Sequence, residues 1–222
     1  MASHRPFKDR LYAEFATIGK ALASAHRLEL LDLLGQGERS VDELAQEIGQ
    51  SLANTSAHLQ VLRQARLVEG NKRGLNVVYR LAAPEVFDVW RAVRDLGTAR
   101  LAEVDRLVET YLTDRASFAA IDLTQLKRLI ADGTVTVLDV RPVLEFQQGH
   151  IPTARSIPVE ELEQRLAELP ADREVVAYCR GLYCVFSDEA AEVLQSHGFR
   201  VRRFEQGFSE WRAAGLPVVV SD

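Results

Sequence analysis

Both cysteines of this 222-residue chain fall within seven residues, Tyr178-Cys179-Arg180-Gly181-Leu182-Tyr183-Cys184. An apolar run from Val175 to Tyr178 leads into them and reads as a buried strand. An amphipathic stretch from Val185 to His197 leaves them and reads as a helix. A thiol at a strand-to-helix turn faces the unpaired N–H groups and positive end of the helix, which favours its charged form and lowers its pKa. Cys179 is therefore a candidate nucleophile, with Arg180 as a cation beside it. Gly181, Leu182, Tyr183, Cys184 and Val185 complete a loop whose successive amides, from Arg180 to Val185, can form a nest for an anion. Cys184 admits two readings. It is either a second thiol that resolves an oxidised or sulfur-loaded Cys179, or a small residue at the helix start with no redox part.

The elements that must position this loop alternate between strand and helix. Asp122 caps a helix carrying Leu126, Leu129 and Ile130 and closed by Gly133. A buried strand spans Val135 to Val140, and a short one lies near Ala154 to Ile157. A helix runs from Val159 to Leu169, and a last strand from Val201 to Phe204 follows the helix after the cysteines. This alternation predicts a parallel sheet with helices on both faces, whose ligand lies at the carboxyl ends of the strands. Asp139 and Cys179 both sit at such ends. Asp139 and Arg141 read as braces for the loop, because a carboxylate beside the thiolate would raise its pKa.

Asp139-Val140-Arg141, Glu145-Phe146 and Gly149-His150-Ile151-Pro152, then Cys179-Arg180-Gly181, then Gln206-Gly207-Phe208 with Trp211 and Ala214-Gly215-Leu216-Pro217-Val218 resemble the rhodanese family of sulfurtransferases, in order, from Phe118 to Val219. The resemblance implies that the Cys179 thiolate takes sulfur from a donor such as thiosulfate or polysulfide. It becomes a persulfide and passes the sulfur to a thiol acceptor, with Arg180 holding the departing sulfite.

The first half of the chain carries different signals. Leu11, Phe15, Ile18 and Leu22 have helical spacing, as do Leu28, Leu31 and Leu34 up to Gly35 and Gly37. Ser40 and Glu43 form a capping box for a short helix ending at Gly49, and Ser51 caps a helix that runs to about Arg66. Two strands, Leu67 to Glu69 and Val77 to Leu81, flank Gly70-Asn71-Lys72-Arg73-Gly74, a basic tip suited to a DNA-binding wing. With Ser56-Ala57-His58-Leu59-Gln60-Val61-Leu62-Arg63-Gln64-Ala65-Arg66-Leu67-Val68, the stretch from Tyr12 to Tyr111 resembles the ArsR family of winged helix-turn-helix regulators. On the second helix of the pair Asn54, Ser56, Ala57 and Gln60 are expected to face the major groove, while Arg63, Lys72 and Arg73 reach phosphates. His58 reads as a packed residue, and no cysteine precedes Cys179. His4, His26 and His58 are isolated in sequence, so no metal site and no cofactor are expected. From Pro84, apolar residues recur every three or four positions through Val86, Trp90, Val93, Leu96, Leu101, Val104, Leu107, Val108 and Tyr111. They predict one long helix, kinked at Gly97, that pairs with its counterpart in a homodimer.

The expected organisation is thus two domains: a mainly α winged helix-turn-helix unit at 1–112, a linker at 113–117, and an α/β rhodanese-like unit at 118–222. The formal charge of -5 excludes a globally basic nucleic-acid coat. Lys and Arg number 16 against 16 acidic residues up to Arg115, and 11 against 16 beyond it, so any contact with DNA comes from a local patch in the first half. No secretory core follows Met1 and no apolar run is long enough to span a bilayer, so a cytoplasmic protein without a membrane partner is expected. Two functions remain open at this stage. One is a dimeric repressor that binds a double-stranded DNA operator and senses sulfane sulfur or redox state through Cys179, alone or with Cys184. The other is a sulfurtransferase enzyme that uses the first domain for dimerisation.

Overall fold

The computed structural model describes residues 4–112 and 118–221. The chain divides into two compact units between Asp95 and Leu96, upstream of the boundary expected at 112. The expected linker, 113–117, lies outside the described residues.

The first unit begins with helices α1 (Arg5–Leu22) and α2 (Ala25–Gln36). Strand β1 (Arg39–Ser40), helices α3 (Val41–Glu47) and α4 (Leu52–Gln64), strands β2 (Val68–Arg73) and β3 (Asn76–Leu81), and helix α5 (Pro84–Arg100) follow. The capping box at α3 is present: Ser40 Oγ accepts from the Glu43 amide, and a Glu43 carboxylate oxygen accepts from the Ser40 amide at 2.7 Å. Gly49 adopts φ +61, a left-handed turn that ends α3, and Ser51 caps α4 by accepting from the Asn54 amide at 3.2 Å. Thr55, Leu59 and Leu62, spaced four and three apart, point into a core shared with Leu30, Leu31, Leu34, Leu44, Val68 and Tyr79. Replacing a fully buried leucine such as Leu59 by alanine costs about 2–5 kcal/mol, so this packing fixes the pitch of α4. The wing strands are longer than expected. Their ladder runs from Val68↔Leu81 to Arg73↔Asn76, leaving Gly74 (φ +62) and Leu75 as a two-residue turn. Gly35 sits inside α2 rather than ending it, and the Phe87 ring occupies the space a Cβ there would need.

The long helix expected from Pro84 onward is two helices, α5 and then α6 (Ala102–Tyr111). The break is at Leu101 (φ -109, ψ 100) and not at Gly97. Glu103 and Asp105 in the first turn of α6 favour a new helix start by complementing its dipole. Apolar spacing continues across the break, which is why periodicity alone reads it as one helix.

The second unit, from Leu96, holds a five-stranded sheet. Its elements are β4 (Ala120–Ile121), α7 (Leu123–Ala131), β5 (Val135–Asp139), α8 (Val143–Gln148), β6 (Arg155–Ser156), a 3-10 stretch at Val159–Glu168, β7 (Glu174–Tyr178), α9 (Phe186–Ser196), β8 (Val201–Phe204) and α10 (Gly207–Ala213). The strands lie in the order β4-β8-β7-β5-β6 and all pairs are parallel. Strand residues alternate between two cores. Leu138, Val175 and Ala177 pack with Leu162, Ala190 and Leu194 on one face, while Val137, Val176 and Tyr178 pack with Leu126, Phe208 and Trp211 on the other. The helix expected from Val159 is present as this 3-10 stretch. Val159, Leu162, Leu166 and the capping Leu169 are spaced three, four and three apart, which serves either helix type, and at its two ends Glu161 bonds the Pro158 carbonyl and Leu169 the Leu166 carbonyl, from residue i+3 to i.

Candidate functional site

Strand β7 ends at Tyr178 and the chain leaves the sheet at Cys179, one turn before α9 begins. Cys179 is buried, 1% exposed. Its Sγ lies 3.5 Å from Ser187 Oγ, 3.6 Å from the Cys184 carbonyl oxygen and 3.9 Å from the Gly181 carbonyl oxygen. Burial pushes the Cys179 thiol up, but hydrogen bonds from the Cys184 thiol, the Ser187 hydroxyl and the Ser187 and Gly181 amides outweigh it, leaving the group below its ordinary value. Cys184 is shifted the other way, first by donating its proton to Cys179 and then by burial.

The amide nest expected from Arg180 to Val185 is therefore arranged differently. Gly181 contributes its N–H to Cys179, Ser187 beyond that span contributes another, and the Arg180 and Phe186 amides bond Cys184. The Cys184 amide instead closes a turn onto the Gly181 carbonyl at 3.1 Å. No described bond of Leu182 or Val185 reaches either sulfur. Tyr183 directs its hydroxyl to Thr98 Oγ1 of α5, at 2.6 Å within the same unit.

Arg180 is tied to a carboxylate outside the loop. Its Nε and Nη2 bond Glu145 Oε1 at 2.9 and 2.7 Å, and its guanidinium lies 5.3 Å from the centre of the Phe186 ring. Glu145 is itself buried and stands 3.9 Å from Arg141 Nη1. Arg141, wholly buried, grips Asp139 at 2.6 and 2.9 Å, bonds the Gly149 carbonyl at 2.8 Å and stacks over Phe208 at 4.0 Å. Tyr178 donates to Asp139 Oδ2 at 2.6 Å and accepts from the Ile151 amide. Asp139, Arg141, Glu145 and Arg180 thus form a chain of alternating charge from the end of β5 to the cysteine loop. Burial alone would weaken the Arg141 charge, but Asp139 and Glu145 keep it protonated. The loop is also held from behind. The Phe208 amide donates to the Cys179 carbonyl at 2.9 Å and the Ser209 amide to the Arg180 carbonyl at 3.3 Å. Gly207 has φ +79, and a Cβ there would lie 2.6 Å from Gly181 Cα, so only glycine permits this approach.

On α4, Asn54, Ala57, Gln60 and Arg63 are exposed and Ser56 is half-buried, on the side of the helix away from Thr55, Leu59 and Leu62. Gln60 Nε2 reaches the Tyr79 hydroxyl at 3.5 Å. Lys72 is exposed on the wing. Arg73 is bound in a two-pronged ion pair with Glu38, with one prong at 3.0 Å. His58 is half-buried and its ring centre lies 5.4 Å from that of His26, so two histidines isolated in sequence are neighbours. Burial, then His26 and Arg27, push His58 down. Among the described residues no group of three or more His, Cys, Asp and Glu is placed to hold a metal.

Sequence reasoning did not assign Glu145 or Ser187. Glu145 stands four residues after Arg141, a spacing that pairs charges on a helical turn. Ser187 lies in the first turn of the helix after the cysteines, where a hydroxyl meets the preceding loop; both signals were there to be read.

Comparison with known proteins agrees with these two halves. Residues 122–214 match the family described as "Rhodanese-like domain" and residues 22–71 the family described as "Helix-turn-helix domain". The chain is 43% identical to HTH-type transcriptional regulator Rv0324 of Mycobacterium tuberculosis over 218 residues, 98% of this chain and 96% of that protein. It is 36% identical to a sulfurtransferase of Allochromatium vinosum over 104 residues, 46% of this chain and 95% of that one. A solved homodimeric winged helix-turn-helix DNA-binding domain from Mycobacterium bovis, 39% identical, covers 46% of this chain and 94% of its own, with a TM-score of 0.42.

Proposed function

The chain belongs to the ArsR-type HTH transcriptional regulators that carry a C-terminal rhodanese-like domain, and from that premise we propose that it is a homodimeric repressor whose operator binding answers to sulfane sulfur at Cys179. The observation that carries this reading is a buried thiol at the carboxyl end of a parallel sheet, 3.5 Å from the Ser187 hydroxyl, whose pKa neighbouring hydrogen-bonding groups draw down against burial. The thiolate attacks the outer sulfur of a donor such as thiosulfate or a polysulfide. A new S–S bond forms at Cys179, and the donor's own S–S bond breaks with its electron pair leaving on sulfite or on the shortened polysulfide. A thiol acceptor then takes the sulfur and restores Cys179. Glu145, Arg141 and Asp139 position Arg180 and the loop rather than reacting.

In the first unit, Asn54, Ser56, Ala57 and Gln60 read base edges, while Arg63, Lys72 and Arg73 bind phosphate after Arg73 exchanges Glu38 for DNA. Phe7, Tyr12 and Phe15 on α1 and Val89 and Val93 on α5 are apolar and exposed in the single chain. They are the surface on which a second copy packs. No described helix is long and apolar enough to cross a membrane, and a cytoplasmic setting suits a DNA-binding thiol protein. The Tyr183–Thr98 hydrogen bond ties the cysteine loop to the C-terminal end of α5 within the second unit.

The test is operator affinity of the full chain before and after thiosulfate treatment, with Cys179→Ser beside it. The expected result is a fall of roughly tenfold in the unsubstituted protein, a coupling of ordinary size, and none in Cys179→Ser. Unchanged affinity with sulfur bound overturns the sensing reading, and sustained thiosulfate turnover without operator binding favours the enzyme instead.

A further inference from the structure

We propose that Cys184 ends the life of the Cys179 persulfide by closing a Cys179–Cys184 disulfide and expelling the outer sulfur as hydrosulfide. The inference rests on sulfur loading at Cys179 and adds what happens next. Three features of the loop carry it. The turn from the Gly181 carbonyl to the Cys184 amide folds the second cysteine back, so that its carbonyl oxygen lies 3.6 Å from Cys179 Sγ. Both thiols are free, and Cys184 packs against the same cluster that contains Cys179. Each thiol shifts the other's pKa, Cys179 down and Cys184 up, and each sulfur has its own pair of backbone donors, Gly181 and Ser187 at Cys179 and Arg180 and Phe186 at Cys184. A structural role for Cys184 asks only for a small side chain; it does not ask that the thiol be aimed at the nucleophile.

The step balances without an outside oxidant. Cys184 gives up its proton and its sulfur attacks Cys179 Sγ, forming the disulfide bond. The bond from Sγ to the outer sulfur breaks, and its electron pair leaves on that sulfur, which takes the Cys184 proton and departs as hydrosulfide. The outer sulfur is reduced by one electron and the Cys184 sulfur is oxidised by one, while Cys179 Sγ exchanges one S–S bond for another with no change of oxidation state. Before loading, Cys184 keeps its proton because its interaction with Cys179 and its burial both favour the neutral thiol. Loading moves the negative charge outward to the terminal sulfur, which is where the proton is needed. A thiol reductant then reopens the disulfide, so the loop converts a sulfur donor into a lasting but reversible oxidation.

The experiment loads the reduced full chain with thiosulfate and removes the donor. It then assays released sulfide and alkylates with iodoacetamide before intact-mass analysis, with Cys184→Ser and Cys184→Ala treated alike. The expected result is one sulfide released per chain, a chain lighter by two hydrogens and resistant to alkylation at both cysteines, and a single-chain band without reductant. Both variants are expected to keep the extra sulfur and release no sulfide. A lasting extra sulfur on the unsubstituted chain, at either cysteine and with no sulfide released, overturns the inference but leaves sulfur loading standing. Absence of sulfur uptake in all three proteins overturns both.

Discussion

Arg141 and Arg63 carry the same guanidinium group in opposite settings. Arg141 is wholly buried, with its donors fixed on Asp139 and Gly149 and its face against Phe208, whereas Arg63 stands exposed in the last turn of α4. The rest of each region follows suit. Around Cys179 the polar groups are desolvated and already bonded to one another, so their dipoles are aimed before any donor arrives and act in a medium that screens them little. Along α4 and the wing the polar groups face water and their partners are exposed surface contacts, such as Glu38 for Arg73, which DNA can displace. Removing a buried charge should therefore damage folding, while removing an exposed one should change recognition alone.

The largest effect is expected from Arg141→Met, which strands Asp139 without its partner. It should lower the stability of the second unit by about 3–5 kcal/mol, read by denaturant unfolding of Trp90→Phe chains in which Trp211 alone reports. Asp139→Asn combined with Arg141→Met should lose less than Arg141→Met alone, since no uncompensated carboxylate remains. Equal losses would mean the pair acts through packing and not through charge. Next in size, Gln60→Ala should cost about 1–3 kcal/mol of discrimination at one base pair and leave unfolding within about 0.5 kcal/mol. Operators selected from random DNA and then substituted singly measure it. The smallest effects belong to phosphate contacts. Lys72→Ala should lower the slope of log affinity against log salt by about one, and Arg73→Ala by less, because DNA must first displace Glu38. A larger slope change for Arg73→Ala would show that its ion pair is not kept in solution.

Much of this was legible in the sequence because it is local. The capping box at Ser40 with Glu43 and the helix cap at Asp122 both formed, the latter completed by Gln125 as a second box. Cys179 and Asp139 emerged at adjacent strand ends because β5 and β7 pair in parallel, with Asp139 opposite Tyr178. The features that were missed join residues far apart in the chain or competing forms of one local pattern. Glu145 meets Arg180 from 35 positions away and Arg73 meets Glu38 from the same separation. No periodicity reports such a contact. At Leu101 and at Val159–Glu168 the apolar spacing satisfied more than one backbone, and packing decided between them.

The most direct test of the central claim is the pH dependence of iodoacetamide modification at Cys179 in the full-length chain, read by mass at that residue. A thiol whose folded-state pKa is depressed contributes stability above its unfolded value and loses it as pH falls through the folded value, and its reactivity follows the same charged form. The account predicts an inflection below the free-cysteine value of about 8.5, moving upward in Ser187→Ala as one of its hydrogen bonds is lost. An inflection at or above the free value, unmoved by Ser187→Ala, would contradict it.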